Sequence, residues 1–516
     1  MPSDTGMQLS LMLPEILVFS AGLATLLGGS FLARQRQWWG RVLAATALTA
    51  AAAVAAVQLS GPDAAAFDGT FAVDTPTGVA RIVAAVGALL VLAVAGDEIT
   101  GSPRESETYA LLLFATSGVL VLAGAADLMV LAAGYLLASI PLYALIGMAR
   151  SPLAAEAAMK TYLLGALFGI LLLFGVTLLY GVTSSTWYPE VATELAGAPA
   201  AVVAAGSVGV LGGLLFKAGG VPAHFWVPDA AQATTGTTAL FSTTVPKVGA
   251  LVAIYRLVQT LPDTVDWPLL IAVLAVASMT LGNLAAFWQT DPRRLLGWST
   301  VSQVGYLLVP VAAAGRAELA QPALLFYLAA YTLTNSAAFA VSTALPRQRD
   351  LQGYRGLMRS QPWIAMALIV ALLGLVGTPP TAVFIGKLTT TAAAWEGDAA
   401  WLVVAVFVNT LVSLFYYLRW IIPAVQRPDA DPEDDVFTVH RWSAGVAVVA
   451  AGLSLALGVA AGLAWPQLGG AAEGSAPSMI DPQASGEDVE HLSVEDRALA
   501  PDAFLGDVEH QYGSSR

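Results

Sequence analysis

The chain has 516 residues, of which 57% are hydrophobic and only 11% are charged. Soluble domains carry about 25% charged residues, so this chain has too little charge to cover a water-exposed surface. These values exclude an ordinary soluble protein and predict an all-α polytopic membrane protein in a lipid bilayer. Cysteine is absent, which excludes disulfides and cysteine-ligated metal or iron–sulfur centres in this chain.

The formal net charge of -13 is concentrated at the C-terminus. The segment 466–516 holds ten acidic and two basic residues, and it is also rich in glycine, serine and proline. This composition predicts a disordered acidic tail. The four histidines do not cluster in sequence, so no metal site is predicted, and no pattern indicates nucleic-acid binding.

Apolar segments of about 20 residues, separated by short connections, predict about fourteen transmembrane helices. The predicted helices lie near residues 10–33, 41–60, 78–96, 107–124, 127–149, 157–181, 201–219, 238–259, 267–288, 295–314, 320–345, 364–391, 400–426 and 442–465.

Basic residues occupy alternate connections between these helices, and the connections between them are acidic or neutral. Because basic connections stay on the inner side of a cell membrane, this alternation supports the helix count and predicts that both termini lie on the outer side. The basic residues concerned are Arg34, Arg36, Arg41, Arg150, Lys160, Arg293, Arg294, Arg347, Arg349, Arg355, Arg359, Arg427 and Arg441.

The seventh and twelfth predicted helices are interrupted by glycine and proline. The seventh ends in KAGGVP, and the twelfth contains GTPPTAVFIGKL. Proline removes a backbone donor, and free backbone groups inside a bilayer are tolerated only where protein or water satisfies them. Paired interruptions of this kind indicate inverted repeats around an ion or substrate path.

Each interrupted helix is the fourth of a five-helix unit, which predicts two inverted five-helix repeats. The predicted divisions are three N-terminal helices, repeat 1, repeat 2, a last helix with the connection before it, and the acidic tail. They span residues 1–106, 107–260, 261–428, 429–465 and 466–516.

Three lysines, Lys217, Lys247 and Lys387, lie within the predicted helices. A lysine at the centre of a membrane helix costs about 2.5–3.5 kcal/mol on an insertion scale. A lysine near a helix end can instead extend its ammonium group to the membrane surface. Because all three lie in or beside a glycine or proline feature, we favour a water-lined proton path, in which lysine can titrate and arginine cannot.

Three further ionisable residues flank the predicted helices. His224 follows the break in VPAHFWVPD, where it fits a proton relay and a packing residue equally well. Asp127 and Glu107 stand at the starts of the fifth and fourth helices. A carboxylate at a helix N-terminus is stabilised by the helix dipole, so we interpret these two as structural.

Five stretches of the sequence carry a resemblance that runs from the fourth to the thirteenth predicted helix. They are ETYALLLFATSGVLVLAGAADLMVL, EAAMKTYLLGAL, FKAGGVPAHFWVPD, NLAAFWQTDPRRLLGWSTVSQVGYLL and GTPPTAVFIGKL. Together they resemble subunit N of the proton-pumping NADH-quinone oxidoreductase, respiratory complex I, whose family also includes the Mrp-type antiporter subunits.

This resemblance implies fourteen helices, two inverted repeats and a proton path along the membrane midplane. Lys217 matches the family's lysine on broken helix seven, Lys247 the lysine on helix eight, and Lys387 the lysine on broken helix twelve. His224 matches the histidine that follows helix seven.

The resemblance also implies where the redox chemistry takes place. NADH, flavin, iron–sulfur clusters and quinone are expected in other subunits, and this chain is expected to bind no cofactor. Its expected partners are the other membrane subunits of the assembly, in the cell membrane of a prokaryote.

The sequence departs from the family in three places. In GYLLASIPLY, Leu136 occupies the position of a glutamate that partners the helix-seven lysine. PDAAQATTGTT replaces a segment that usually carries a glutamate and two prolines, and Gln303 replaces a frequent histidine before VGY. We therefore expect Lys217 to lack its usual partner and the first half-channel to be altered.

Three functions remain open on this basis. The first is a proton-translocating subunit of a complex I-like enzyme, which PAHFWVPDA and QTDPRRLLGWSTVSQVGY favour. The second is a subunit of an Mrp-type cation/proton antiporter. The third is a structural paralogue that no longer pumps, which the missing glutamate favours and the three retained lysines oppose.

Overall fold

The computed structural model describes residues 8–427 and 437–468, and within them the chain is almost entirely helical. Its elements in chain order are α1 (Leu13–Phe31), α2 (Trp38–Leu59), β1 (Ala64–Ala66), β2 (Phe71–Val73), α3 (Thr75–Glu98), α4 (Glu105–Gly124), α5 (Leu128–Gly147), α6 (Pro152–Thr183), α7 (Tyr188–Leu195), α8 (Ala200–Ala218), α9 (Trp226–Ala233), α10 (Gly236–Thr260), α11 (Trp267–Ala286), α12 (Pro292–Ala312), α13 (Ala320–Ala344), α14 (Leu357–Ser360), α15 (Pro362–Val376), α16 (Ala382–Glu396), α17 (Ala400–Val425), α18 (Arg441–Val459) and α19 (Ala461–Ala464).

The predicted class of all-α polytopic membrane protein is confirmed. Among the described residues, 13 helices are long and apolar enough to cross a membrane. The twelfth predicted helix, 364–391, is divided into α15 and α16, each of 15 residues. The difference from fourteen continuous helices therefore lies at the glycine–proline break that the sequence itself contains.

Polar residues fix where several helices begin. Asp74 caps α3 by accepting a hydrogen bond from the Thr77 amide at 3.1 Å. Asp127 caps α5 and accepts from the amides of Met129 and Val130 at 2.7 and 3.1 Å. Such caps satisfy amides that have no partner within the helix, so the structural interpretation of Asp127 agrees with its observed contacts.

Contacts between connections show which helix ends lie together. Arg34, after α1, donates to the Gly101 carbonyl, after α3, at 3.2 Å. The Ser443 amide, at the start of α18, donates to Asp97 at 2.7 Å. We call this end of the molecule the arginine-rich end, because the connections gathered there carry Arg34, Arg36, Arg104, Arg150, Arg347, Arg349, Arg355, Arg359 and Arg427.

The opposite end contains two small elements that the sequence did not predict. Strands β1 and β2 form an antiparallel hairpin. Helix α7 lies between α6 and α8 and buries Tyr188, Val191 and Leu195. Asp74 and Arg256 form an ion pair there at 2.5 Å. Burial raises the pKa of Asp74, but the guanidinium of Arg256 and hydrogen bonds from Thr77 outweigh it and hold that pKa below its usual value.

The three N-terminal helices share a buried ion pair. Arg81 on α3 donates to both carboxylate oxygens of Glu15 on α1, at 2.7 and 2.8 Å. Its remaining donors reach the side chain of Gln58 on α2 and the Leu11 carbonyl. A buried charge is tolerable when it is paired and hydrogen-bonded in this way, so this group holds α1, α2 and α3 together.

The predicted division into two five-helix repeats stays a prediction. The described residues belong to one compact unit, so compactness alone does not divide them into two repeats. The predicted acidic tail lies outside the described residues beyond Leu468, as does much of the connection before α18.

Candidate functional site

The two predicted helix breaks have the same local design. Helix α8 is followed by Gly219 with φ of +82°, and α15 is followed by Gly377 with φ of +92°. This left-handed conformation favours glycine. In each case the glycine amide turns back onto carbonyls of the preceding turn, and proline follows within three residues. Each break therefore leaves the last carbonyls of a half-helix open to side-chain donors.

Lys217 lies in the last turn of α8 and is 1% exposed. Its Nζ has no hydrogen-bond partner among the described residues. The nearest aromatic contact is the ring of Tyr135 on α5, with Nζ 5.5 Å from the ring centroid. The expectation that Lys217 lacks its usual carboxylate partner stays a prediction.

The structure corrects which residue of α5 faces this lysine. Leu136, at the family's glutamate position, is 40% exposed, whereas Tyr135 beside it is 1% exposed. Successive residues of a helix point about 100° apart, so the side chain at 136 leaves the core while the one at 135 lies against Lys217. The sequence comparison alone did not indicate Tyr135.

A carboxylate at position 135 is therefore expected to pair with Lys217. We predict that Tyr135→Glu is tolerated better in the presence of Lys217 than with Lys217→Met, because breaking a buried pair costs about 3–5 kcal/mol. The measurement is the thermal stability of the purified protein across the double-mutant cycle. Leu136→Glu is the matched control and should show little coupling to Lys217; equal coupling at both positions would contradict the assignment.

Lys247 is fully buried in α10, beside a proline inside the helix. Pro246 has no backbone N–H, so the carbonyl of Ser242, four residues earlier, lacks its helical partner. Nζ of Lys247 donates to that same carbonyl at 2.9 Å. It also lies 5.4 Å from the ring centroid of Trp226 on α9. The proline thus creates the acceptor that the lysine uses.

Lys387 lies on α16, beyond the second break, and is 6% exposed. Its Nζ donates to the carbonyl of Val376, the last residue of α15, at 2.8 Å. The C-terminal end of a helix carries partial negative charge, so this position favours an ammonium group. Nζ also lies 3.5 Å from the hydroxyl of Thr410 and 3.8 Å from the ring centroid of Tyr306.

Buried polar groups connect the surroundings of Lys247 to those of Lys387. The hydroxyl of Tyr331 on α13 donates to the carbonyl of Thr243 at 2.7 Å and lies 3.2 Å from the hydroxyl of Thr300 on α12. Gln303 is three residues further along α12, and residues at this spacing share a helix face. Its amide nitrogen donates at 2.9 Å to the carbonyl of Leu375, the residue before the acceptor of Lys387.

Gln303, at the position of the family's frequent histidine, is hydrogen-bonded through both its amide nitrogen and its oxygen. Gln303 is 0% exposed, and its Oε1 accepts from the hydroxyl of Tyr327 at 2.7 Å. As a neutral amide it does not titrate. It therefore orders the hydroxyl groups and the half-helix end around it rather than carrying a proton itself.

His224 is buried after the first break but is not joined to these groups. Neither ring nitrogen has a hydrogen-bond partner among the described residues. The ring packs 4.2 Å from Phe225 and 5.7 Å from Trp298, centroid to centroid. Its predicted role as a relay stays a prediction.

Ionic contacts hold the half-helix α9 at the arginine-rich end. Asp229 accepts from Arg294 on α12 at 2.6 Å and from Lys160 on α6 at 3.0 Å. The first amides of the following helix, α10, bind the carboxylate of Glu98 on α3, which accepts from Gly236 and Thr237 at 3.0 and 2.7 Å. These contacts fix Trp226 and Lys247 relative to the first break. No cluster of three or more potential metal ligands occurs among the described residues.

A family model described as "NADH:quinone oxidoreductase/Mrp antiporter, TM" matches residues 125–413, more than half of the chain and all of the segment from α5 to the contacts of Lys387. The chain belongs to this family. The family resemblance drawn from the five motifs is confirmed.

Members of the family with high similarity carry one name. A Mycobacterium protein (strain JLS) called NADH-quinone oxidoreductase subunit N is 67% identical over 465 residues, which cover 90% of this chain and 99% of the relative. Subunit N 1 of NADH-quinone oxidoreductase from Streptomyces griseus is 51% identical over 460 residues, covering 89% and 97%.

Solved structures of the family share the fold. A chain of respiratory complex I from Thermus thermophilus is 33% identical, with a TM-score of 0.76, covering 89% of this chain and 100% of that one. A chain of the Mrp complex from Dietzia has a TM-score of 0.79 over 91% of this chain and 97% of that one, at 22% identity. At this lower identity the Mrp likeness shows the fold alone.

Proposed function

We propose that the chain is a proton-translocating membrane subunit of a NADH-quinone oxidoreductase of the complex I type. The observation that carries this proposal is the buried polar connection from Lys247 to Lys387, in which both ammonium groups use carbonyls freed by helix interruptions. The relatives named subunit N support the assignment to this enzyme. A buried titratable group inside a membrane protein is typical of a proton path.

In this role Lys247 and Lys387 take up and release protons. Tyr331, Thr300 and Tyr327 provide hydroxyl groups between them, and Gln303 holds the end of α15 in place. Lys217 forms no hydrogen bond to this connection among the described residues, so the hydrogen-bonded part of the path in this chain is the segment from Lys247 to Lys387. The proposed role of Lys217 is limited to the start of the path.

The redox steps are assigned to other subunits. We propose that NADH oxidation, flavin, iron–sulfur clusters and quinone reduction belong to those partners and that this chain contributes only proton movement. We also propose a prokaryotic plasma membrane with the arginine-rich end inside and both termini outside, since basic connections favour the inner side.

Co-purification tests this assignment. The tagged chain is extracted from native membranes in a mild detergent, and the proteins that accompany it are identified by mass spectrometry. We expect quinone-reducing subunits together with other antiporter-like subunits. Recovery of only small hydrophobic antiporter subunits would overturn the proposal in favour of an Mrp-type cation/proton antiporter, and cation flux would then be the assay.

A further inference from the structure

A cavity at the arginine-rich end lies between the last turns of α17 and the connections that follow α11 and α13. Its volume is about 400 Å³, within the range of about 300–1,000 Å³ that small-molecule sites occupy. The polar residues that line it are Thr290, Asp350, Gln352, Arg355, Arg419 and Gln426. The proposed function makes no use of this cavity.

Arg419 lies in a different place from the arginines that define this end of the molecule. Those arginines lie in connections between helices, where membrane topology accounts for them. Arg419 instead lies within α17, six residues before its end at Val425, which is about 9 Å along the helix. Its guanidinium donates to the Phe287 carbonyl, and its other N–H donors have no hydrogen-bond acceptor among the described residues. Such a charge inside a membrane helix indicates a functional contact.

The charges around the cavity favour an anion. Two guanidinium groups, of Arg355 and Arg419, line it together with one carboxylate, that of Asp350, which already accepts from the Gln352 amide at 2.8 Å. A guanidinium binds a phosphate through two parallel N–H donors. The side-chain amides of Gln352 and Gln426 can supply further donors. The lining therefore fits a phosphodiester better than a cation or an uncharged ligand.

Exposed apolar faces of α11 and α17 lead to the rim of the cavity. Phe415 and Ile422 share one exposed face of α17, and Ile422 itself lines the cavity. On α11 the exposed Leu284 is followed by Trp288, which is 85% exposed and lies two residues before Thr290. Tryptophan is enriched where a bilayer meets water. An apolar face, an interfacial aromatic ring and a basic cavity thus follow one another, in the same order as the acyl chain, glycerol and phosphate of a lipid.

We propose that this cavity binds the headgroup of one anionic glycerophospholipid, whose phosphate contacts Arg419 and Arg355 and whose acyl chains lie along the exposed faces of α11 and α17. Basic pockets between membrane helices bind anionic headgroups in this way. The phosphate accepts from the donors of Arg419 that no described residue uses. It also joins the end of α17 to the connection after α13. This site is independent of the proposed proton-translocating role.

Photoactivatable lipids test the site. The assembly that contains the tagged chain is washed in detergent to remove bound lipid and is reconstituted into phosphatidylcholine vesicles. These vesicles carry a trace of phosphatidylglycerol with a diazirine on one acyl chain, or the same amount of the corresponding phosphatidylcholine probe. After illumination, mass spectrometry of peptides measures the lipid attached to α11 and α17. We expect the phosphatidylglycerol probe to label their exposed faces several-fold more than the phosphatidylcholine probe.

Two changes in the cavity should remove this excess. Arg419→Gln removes a guanidinium. Gln426→Glu adds a negative charge and keeps the backbone carbonyl that accepts from the Gly356 amide at 3.1 Å, so it tests the charge if Arg419→Gln fails to assemble. Arg36→Gln is the matched control. It removes an exposed charge from the connection after α1, which does not line the cavity, and it should keep the excess.

Four outcomes would overturn the proposal. Equal labelling by the two probes would mean that only bulk bilayer lipid contacts these helices, and no labelling by either would mean that a partner protein covers them. An excess that survives both cavity changes would place the anionic lipid elsewhere, and an excess abolished by inorganic phosphate would assign the cavity to a soluble anion. None of these outcomes depends on the redox subunits or on proton translocation, so failure of this site is distinguishable from failure of the proposed function.

Discussion

Lys387→Ala is expected to leave the protein assembled and to lower proton translocation by about tenfold or more, since a positioned proton-transfer group typically contributes about 10²–10⁴ in rate. Lys387 is the only side chain bonded to the open carbonyl of Val376 among the described residues, and its Nζ also contacts the hydroxyl of Thr410. The measurement is the initial rate of acidification of sealed inverted vesicles driven by NADH.

Two further variants separate titration from charge and from packing. Lys387→Arg keeps a positive charge that does not titrate at physiological pH, so it should also lose proton translocation. Leu388→Ala makes the same truncation at the neighbouring residue, which is 52% exposed, and should pump normally. Normal pumping by Lys387→Ala would exclude the path through α16.

The number of helices and the positions of their breaks could be predicted from the sequence for a physical reason. A membrane helix needs a long apolar run, and this requirement is visible in any window of about 20 residues. The backbone effects of glycine and proline can also be predicted directly from their positions in the sequence. The burial of Lys217, Lys247 and Lys387 then followed from their places inside such runs.

The partners of these lysines could not be predicted, because they depend on packing between helices distant in sequence. Lys387 pairs with a carbonyl on α15, and Gln303 reaches Leu375 across 72 residues. The family resemblance pointed to Leu136, yet the rotation of α5 brings the ring of Tyr135 to Lys217. Only Pro246 indicated a partner in the sequence itself. Because proline has no backbone N–H, the carbonyl of Ser242, four residues earlier, is left free to accept from Lys247.

The three lysines differ in what the adjacent helix interruption provides. Lys247 and Lys387 each bond to a carbonyl that an interruption leaves open. At the first break, the carbonyl of Phe216 instead accepts from the indole of Trp226 at 2.9 Å. Lys217 is therefore the one of the three without a hydrogen-bond partner in the described part of the chain. We therefore expect the missing glutamate on α5 to affect Lys217 alone.

Pro246→Ala is expected to impair proton translocation although it removes no titratable group. Alanine restores a backbone N–H at position 246, which can donate to the carbonyl of Ser242 in the ordinary helical pattern. That carbonyl is the hydrogen-bond acceptor of Lys247, at 2.9 Å. The ammonium group would then compete for its only acceptor among the described residues. We expect a loss of vesicle acidification severalfold or larger, with unchanged NADH oxidation by the detergent-extracted assembly.

Pro310→Ala provides the control for proline removal itself. Pro310 is also buried inside a helix, α12, but no lysine in the described part of the chain bonds to the carbonyl of Tyr306 that it leaves open. It should therefore preserve proton translocation while causing a similar straightening of its helix. Equal losses in both variants would mean that helix shape, rather than the Ser242 carbonyl, controls the rate. A loss confined to Pro246→Ala would show that an interruption of the backbone positions the proton carrier.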